Sequence, residues 1–179
     1  GPALVKAWED WVGIRGRYRR SDGVYAPPSI AVWLDDGDFL VQDAVAWRDA
    51  VPRGIVWYRA PEVGSMLAQY GFDVYGAGSS EPEASVNHPA LSINVHGRGK
   101  NLQPWSNQYV LEPSGSAQEW EQLLGRTHRP GQKAATVWCA VAGHNWWLRA
   151  QMSRASAFSR YIESTEGQQQ KLNLAEKRF

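Results

Sequence analysis

The sequence predicts an α/β domain of three layers, in which a parallel β-sheet lies between helices. From Gly54 onward, short apolar runs alternate with stretches of helical periodicity, which is typical of parallel strands joined by crossover helices. The chain has 179 residues and 43% apolar content, enough for one hydrophobic core and too little for two full domains. We therefore expect a single main domain with flanking helices.

The apolar runs that predict strands are short and are bounded by glycine, proline or polar clusters. They occupy residues 55–58, 73–75, 90–95, 108–111 and 135–142. Helical spacing of apolar residues predicts helices over residues 43–51, 62–70 and 116–124. Pro61 suits the first position of the second of these helices, and Gly71 suits its end.

Composition divides the chain into four segments. Gly1 and Pro2 are predicted to be the remnant of a cleaved expression tag. Residues 3–53 are predicted to form a helical and irregular lead-in that begins with an amphipathic helix over residues 3–18. Residues 54–143 carry the α/β pattern, and residues 144–179 are predicted to be a polar tail, either a long helix or partly disordered, that cannot bury a core alone.

The charge balance and the cysteine count restrict the possible functions. Nineteen Lys and Arg residues against 18 Asp and Glu residues leave a net charge near +1, so any nucleic-acid binding must be local. Cys139 is the only cysteine, which excludes an intrachain disulfide and predicts a buried thiol in a reducing, intracellular compartment, cytoplasmic or nucleoid-associated. No apolar stretch reaches the length of a membrane span, and most of the ten tryptophans are expected to pack in the core.

Two neighbouring stretches contain the residues expected to carry chemistry. The first reads Ser-Ile-Asn-Val-His-Gly-Arg-Gly-Lys-Asn-Leu-Gln over residues 92–103 and follows a predicted strand. Its two glycines allow the backbone to approach a ligand closely, at the strand end where α/β sheets bind ligands. The second reads Gln-Leu-Leu-Gly-Arg-Thr-His-Arg-Pro-Gly-Gln over residues 122–132. Its Arg126 and Arg129 can reach one shared anion with planar guanidinium groups that suit phosphate oxygens.

Together the two stretches resemble motifs V and VI of superfamily-two helicases of the Swi/Snf type, over about residues 54–142. This resemblance implies a RecA-like P-loop NTPase lobe, the helicase C-terminal domain. It further implies a catalytic role for Arg129 and Arg126, ATP contacts for Gln122, Gly99 and Asn101, and nucleic-acid contacts for Ser92, Arg98 and Lys100. The chain departs from the family pattern at Lys100, usually apolar, and near Pro104-Trp105, usually small.

Two motifs that such a motor needs do not occur in this sequence. There is no Gly-x-x-x-x-Gly-Lys-Ser/Thr phosphate loop and no Asp-Glu-x-His box after an apolar strand. The resemblance therefore implies that ATP and its Mg²⁺ are bound mainly by a separate N-terminal RecA-like lobe of the same protein. It also implies that DNA, as duplex or single strand, is a partner that is bound independently of its sequence. The four histidines show no metal-ligand spacing, so we expect no metal site in this chain.

Two other functions are compatible with the sequence. A helicase-like module could keep this fold without motor activity and bind nucleic acid or a protein partner. A different P-loop relative, such as a recombinase-like ATPase, would share the fold but not the second motif. The second arginine of that motif favours the motor, because a scaffold does not need it.

Overall fold

The computed structural model describes residues 9, 38–97, 99, 101–143 and 146–175. Apart from Glu9, these residues belong to one compact unit, Asp35–Phe179. The predicted amphipathic helix over residues 3–18 and the connector that follows it lie outside the described residues, as do Arg98 and Lys100. The four-segment division of the chain stays a prediction.

The described part of the chain contains one five-stranded sheet, and every strand pair in it is parallel. The strands, in sequence order, are β1 (Ile55–Tyr58), β2 (Asp73–Tyr75), β3 (Pro89–Ser92), β4 (Asn107–Val110) and β5 (Trp138–Val141). Their order across the sheet is β2-β3-β1-β4-β5. The predicted parallel α/β architecture is therefore confirmed.

Helices connect and flank the strands. They are α1 (Phe39–Ala50), α2 (Pro61–Gln69), the single turn α3 (Ile93–His96), α4 (Ala117–Thr127), α5 (Trp146–Glu166) and the short α6 (Lys171–Leu174). Pro61 occupies the start of α2 and Gly71, with a φ of 81°, follows its end, as predicted. At the start of α4, the Ser116 side chain accepts a hydrogen bond from the Glu119 backbone N–H at 3.4 Å, which caps the helix.

The sheet is buried on both faces, which gives the predicted three layers. On one face, Val56 and Tyr109 pack in a core cluster with Val41 of α1 and Leu67 of α2. On the other face, strands β1, β3 and β4 pack against helices α4, α5 and α6 and against Leu102 and Trp105; the buried side chains include Ile55, Trp57, Leu91, Val110, Trp120, Leu123, Ala155 and Leu172. All four residues of β1 are buried, because the central strand of a parallel sheet is covered on both sides.

The third strand ends earlier than the sequence predicts. The alternation of apolar and polar residues predicted a strand over 90–95, but β3 stops at Ser92 and the chain forms α3. That prediction is wrong because Ile93 and His96 are both buried while Asn94 and Val95 are exposed, a spacing of three that suits a helical turn. The Gly97 N–H closes the turn by donating to the Ile93 carbonyl at 2.9 Å.

The predicted fifth strand is shorter than expected, and the tail is better packed than expected. β5 begins at Trp138, since the backbone N–H of Ala134 donates to the Gln132 side chain at 3.0 Å and does not pair with β4. The long helix predicted in the tail is present as α5, and the tail adds Leu148 and Leu172 to the core. Cys139 packs against the core, and burial raises the pKa of its thiol to about 12.

Candidate functional site

The carboxyl ends of the parallel strands meet at one edge of the sheet, where α/β folds place ligands. Arg59 follows β1, Ile93 follows β3, and Glu112 comes two residues after β4. The first stretch singled out above begins at this edge, because it follows β3. The second stretch begins on α4 and ends near the opposite, amino edge, where Thr127 lies beside Gln108 at the start of β4.

Four side chains at this edge form what we call the ion-pair corner: Arg59, Asn94, Glu112 and Glu119. The Arg59 guanidinium donates to both Glu119 carboxylate oxygens, at 3.1 and 3.0 Å, and lies 3.4 Å from the Asn94 Oδ1. A Glu112 carboxylate oxygen accepts from the backbone N–H groups of Arg59 and Ala60, at 2.6 and 3.0 Å. This carboxylate satisfies donors at the start of α2, where negative charge is favourable.

The first stretch bends sharply after α3. A Cβ at Gly97 would lie 2.3 Å from the Ile93 carbonyl oxygen, so the backbone here has no room for a side chain. Gly99 adopts a φ of 74° and is exposed, in a conformation that favours glycine. Asn101 is exposed, and its amide donates to the Gln103 side chain at 3.0 Å.

Ser92, predicted to contact nucleic acid, is 6% exposed at the end of β3, where it pairs in register with Tyr58. The structure therefore places Ser92 beneath the surface of this edge. Arg98 and Lys100 flank Gly99 in the sequence but lie outside the described residues. The nucleic-acid roles of all three residues stay predictions.

Gln122 lies on α4 and lines a cavity of about 230 Å³ beside the first stretch. The other lining residues are Ile93, Asn94, Gly97, Glu119 and Leu123. The cavity thus connects the ion-pair corner with the second stretch. An ATP contact by Gln122 stays a prediction.

Arg126 connects the two stretches directly. Its Nε donates to the Gly97 carbonyl oxygen at 3.0 Å, and its own carbonyl oxygen accepts from the Leu102 backbone N–H at 3.1 Å. Partial burial and, secondly, the positive charge of Arg129 lower the pKa of the Arg126 guanidinium below its ordinary value. The Arg126 guanidinium is therefore partly desolvated and lies close enough to Arg129 for the two positive charges to repel each other.

Arg129 lies just past the end of α4, which finishes at Thr127, and its side chain is exposed. The two arginines are therefore not both on the helix, although they are near each other as predicted. The backbone carbonyl of Arg129 accepts a hydrogen bond from the Gln103 side chain, so the backbone is held in place while the Arg129 side chain stays exposed to solvent. Such an arrangement suits an anion supplied from outside the chain.

Two glutamines hold this segment, and we call them, with their backbone acceptors, the glutamine brace. The Gln103 amide donates to the carbonyl oxygens of Arg129, at 3.4 Å, and Pro130. In the opposite direction, the Gln132 amide donates to the carbonyl oxygens of Gln103 at 3.0 Å and Thr127 at 3.1 Å, and lies 3.4 Å from that of Trp105. Each stretch therefore supplies a side chain that binds the backbone of the other.

A buried chain of hydrogen bonds anchors the end of α4 to the sheet. The Trp57 indole N–H donates to the Gln108 side chain at 2.9 Å, and the Gln108 amide donates to the Thr127 hydroxyl at 2.6 Å. Gln108 and Thr127 are both 0% exposed, so these groups have no access to water. These hydrogen bonds fix Thr127, the residue directly after Arg126 in the second stretch.

The residue patterns alone did not predict the ion-pair corner or the glutamine brace. Arg59 and Glu112 did carry a usable signal, because residues just after parallel strands meet at one edge. Gln103 and Gln132 belong to the two stretches, but no structural role was predicted for their side chains. Their acceptors are backbone carbonyls, which no residue pattern reveals.

Two further properties concern the described residues only. They include no group of three or more His, Cys, Asp or Glu side chains arranged to hold a metal ion. None of their helices combines the length and the apolar character that crossing a membrane requires.

Comparison with solved structures identifies the fold. The chain is similar to the crystal structure of the C-terminal part of the Fun30 ATPase domain, with a TM-score of 0.50 and 14% sequence identity. The match covers 86% of this chain and 53% of that one, so the chain spans about half the length of the solved structure. No protein-family model matches the sequence, and neither does any curated protein. The fold is a RecA-like lobe of the kind found in that ATPase domain.

Proposed function

We propose that the chain is the second motor lobe of an ATP-dependent, nucleic-acid-dependent helicase or translocase of the Swi/Snf type. The observation that carries this proposal is the hydrogen bond from Arg126 to the Gly97 carbonyl, which joins motifs V and VI. The RecA-like fold supports it, as do the hydrogen bonds by which the Gln103 and Gln132 side chains also join the two motifs.

In this proposal, ATP binds to a separate first lobe and meets Arg126 and Arg129 across a cleft. Arg129 is exposed and held by its backbone, so its planar fork can approach the γ-phosphate, where charge spreads in the transition state. Arg126 adds a second cation nearby, and Gln122, Gly99 and Asn101 complete the contacts to the nucleotide. The Mg²⁺ ligands come from the first lobe.

Motif V would carry the contacts to the nucleic-acid backbone, through Ser92, Arg98 and Lys100. The glutamine brace and the Arg126 hydrogen bond would couple these contacts to the nucleotide, since a shift of either stretch displaces the backbone of the other. Contacts of this kind recognise phosphates, so binding should be independent of base sequence.

The first test compares the 179-residue chain with the complete protein that contains it. We expect ATP hydrolysis stimulated by nucleic acid in the complete protein, and no such turnover in the isolated chain, which lacks a phosphate loop. Steady-state release of phosphate measures both. Turnover by the purified isolated chain would contradict the two-lobe proposal, and an inactive complete protein would favour a non-enzymatic binding module.

The second test concerns motif V. The double substitution Arg98→Ala with Lys100→Ala in the complete protein should weaken nucleic-acid binding and reduce its salt dependence, because two phosphate contacts are lost. Binding measured at several salt concentrations gives both quantities. An unchanged affinity and an unchanged salt slope would remove motif V from the nucleic-acid contact.

A further inference from the structure

Helix α5 exposes large aromatic side chains that neither the fold nor the proposed motor site explains. Trp147 is 56% exposed, Phe158 50% and Tyr161 61%. The buried face of the same helix consists of Leu148, Ala155 and Ser159, which pack toward the core. The aromatic residues therefore belong to a separate face of α5.

These aromatic residues share one side of α5 with Gln151 and Arg154. Positions 147, 151, 154, 158 and 161 follow one another at steps of four and three, which places them along one side of a helix. The rings of Phe158 and Tyr161 stack on each other, with centroids 6.1 Å apart and planes 20° apart. This side of α5 thus ends in a flat, exposed aromatic surface.

A neighbouring loop turns part of this side of α5 into a groove. Gly115 and Ser116, which precede α4, form one wall, and Gln151, Arg154, Phe158 and Tyr161 form the other, around a volume of about 710 Å³. A Cβ at Gly115 would lie 2.5 Å from the Gln151 Oε1 and 3.2 Å from the Arg154 Cδ, so the loop approaches α5 closely. We call this feature the aromatic groove.

The charge along the groove has a single sign. Among the residues that line the groove, Arg154 is the charged one, and it is exposed. Arg149 and Arg160 of the same helix are exposed as well, and Glu163, which follows Tyr161 in α5, does not line the groove. Cations beside exposed aromatic rings are complementary to a chain that alternates phosphates with flat bases.

The position of the groove agrees with such a ligand. Its Gly115 wall belongs to the loop between β4 and α4, which leaves the same carboxyl edge of the sheet as the motif V stretch. A strand of nucleic acid held at that edge could therefore continue along α5. A duplex would fit less well, because its bases are stacked and closed to aromatic side chains.

We propose that the aromatic groove binds single-stranded nucleic acid, with Phe158 and Tyr161 stacking on an unpaired base and Arg154 contacting a neighbouring phosphate. This inference takes from the proposed function only that the partner is a nucleic acid. It requires neither ATP nor the motif VI arginines.

The test measures binding of the 179-residue chain to a fluorescently labelled oligothymidine by anisotropy, in the absence of ATP. Phe158→Ala with Tyr161→Ala should weaken binding about tenfold or more, since stacking on each base contributes that much. Phe39→Ala is the matched control, because Phe39 is also exposed, at 42%, and lies on α1 away from the groove. It should leave the affinity unchanged.

Two other variants separate stacking from charge. Tyr161→Trp keeps a stacking ring and should retain the parent affinity, which also shows that the helix tolerates substitution there. Arg154→Ala should reduce the slope of log affinity against log salt by about 0.7, the value for one phosphate on a single strand.

Three outcomes would overturn the proposal. The first is an unchanged oligothymidine affinity in the Phe158→Ala, Tyr161→Ala variant. The second is equal affinity of the parent chain for duplex and single strand. The third is loss of self-association on size-exclusion chromatography in that variant while its oligothymidine affinity stays at the parent value, since the face would then be a protein interface. None of these depends on ATP hydrolysis, so the proposed motor function succeeds or fails separately.

Discussion

The ion-pair corner lies at the carboxyl edge of the sheet and the glutamine brace lies near its amino edge, and the two hold their side chains with different chemistry. In the ion-pair corner, Arg59 is neutralised by Glu119 at 3.0 Å, so its charge is used inside the lobe. In the glutamine brace, neutral amides of Gln103 and Gln132 bind backbone carbonyls, and Arg129 stays exposed.

This difference has a physical consequence for the proposed function. A carboxylate beside Arg129 would fix its position but would also cancel the charge that a phosphate must meet. Glutamine donates hydrogen bonds without carrying charge, so it can fix the backbone and leave the cation available. A carboxylate thus holds Arg59, whose charge is paired within the chain. Neutral amides hold the backbone around Arg129, whose charge stays exposed.

The largest expected effect on stability comes from Gln108, which anchors the brace to the sheet. Gln108→Ala would leave the buried Trp57 N–H and Thr127 hydroxyl without their partner and open a cavity, at a cost of about 3 kcal/mol in the free energy of unfolding. Urea denaturation measures this loss. Gln108→Leu with Thr127→Val should recover part of it, since fewer polar groups stay unpaired. A loss below about 1 kcal/mol for Gln108→Ala would show that the buried chain is not a main support.

An intermediate effect is expected for Gln132. Gln132→Ala removes the amide that binds the Gln103 and Thr127 carbonyls and should cost about 1–2 kcal/mol of stability. Turnover by the complete protein should fall as well, because the Arg129 segment loosens. Gln42→Ala is the matched control, since Gln42 is itself exposed and its amide binds the Asp38 carboxylate, at 2.7 Å, so its loss should change stability by less than about 0.5 kcal/mol.

Gln132→Glu sharpens this test. A carboxylate in place of the amide would face carbonyl oxygens that it cannot donate to, so the loss of stability should exceed that of Gln132→Ala. Equal stability of the Gln132 and Gln42 variants in thermal and urea unfolding would refute the brace.

The smallest effect is expected in the ion-pair corner. Glu119→Gln should cost less than about 1 kcal/mol, because both partners are about one third exposed and solvent screens their charges. The difference from the parent should shrink at high salt. Unfolding at low and high ionic strength measures this, with Asp49→Asn, the partner of Arg48 in an exposed pair, as a control. A salt-independent loss as large as that of Gln132→Ala would contradict the comparison.

The sequence predicted the central strands well and the site only partly. Residues 55–58 and 73–75 were placed correctly because short apolar runs bounded by glycine and proline have few alternatives in a parallel sheet. The end of β3 was missed because alternation at residues 91–96 suits a strand locally, whereas burial of Ile93 and His96 favours a helical turn. Local patterns cannot show which side of the chain the rest of the fold will cover.

The same limit explains the site. Arg126 and Arg129 could be identified because they lie three apart in one stretch with a recognisable pattern. Gln103 and Gln132 are 29 residues apart and act on backbone oxygens, so their partnership exists only once the sheet brings the two stretches together. Most tryptophans were expected to pack, as Trp57 and Trp105 do, but Trp146 and Trp147 of α5 are exposed, because exposure depends on neighbours that the sequence of one helix does not reveal.

The most direct test of the central claim is ATP turnover by the complete protein carrying Arg129→Ala. If Arg129 stabilises the transition state of hydrolysis, turnover should fall by about 10³ or more, with the fold intact and ATP affinity reduced far less. Arg129→Lys should restore little, because a single ammonium cannot reproduce the planar fork. Hydrolysis within a few-fold of the parent rate in the Arg129→Ala protein would contradict the assignment and, with it, the proposed motor function.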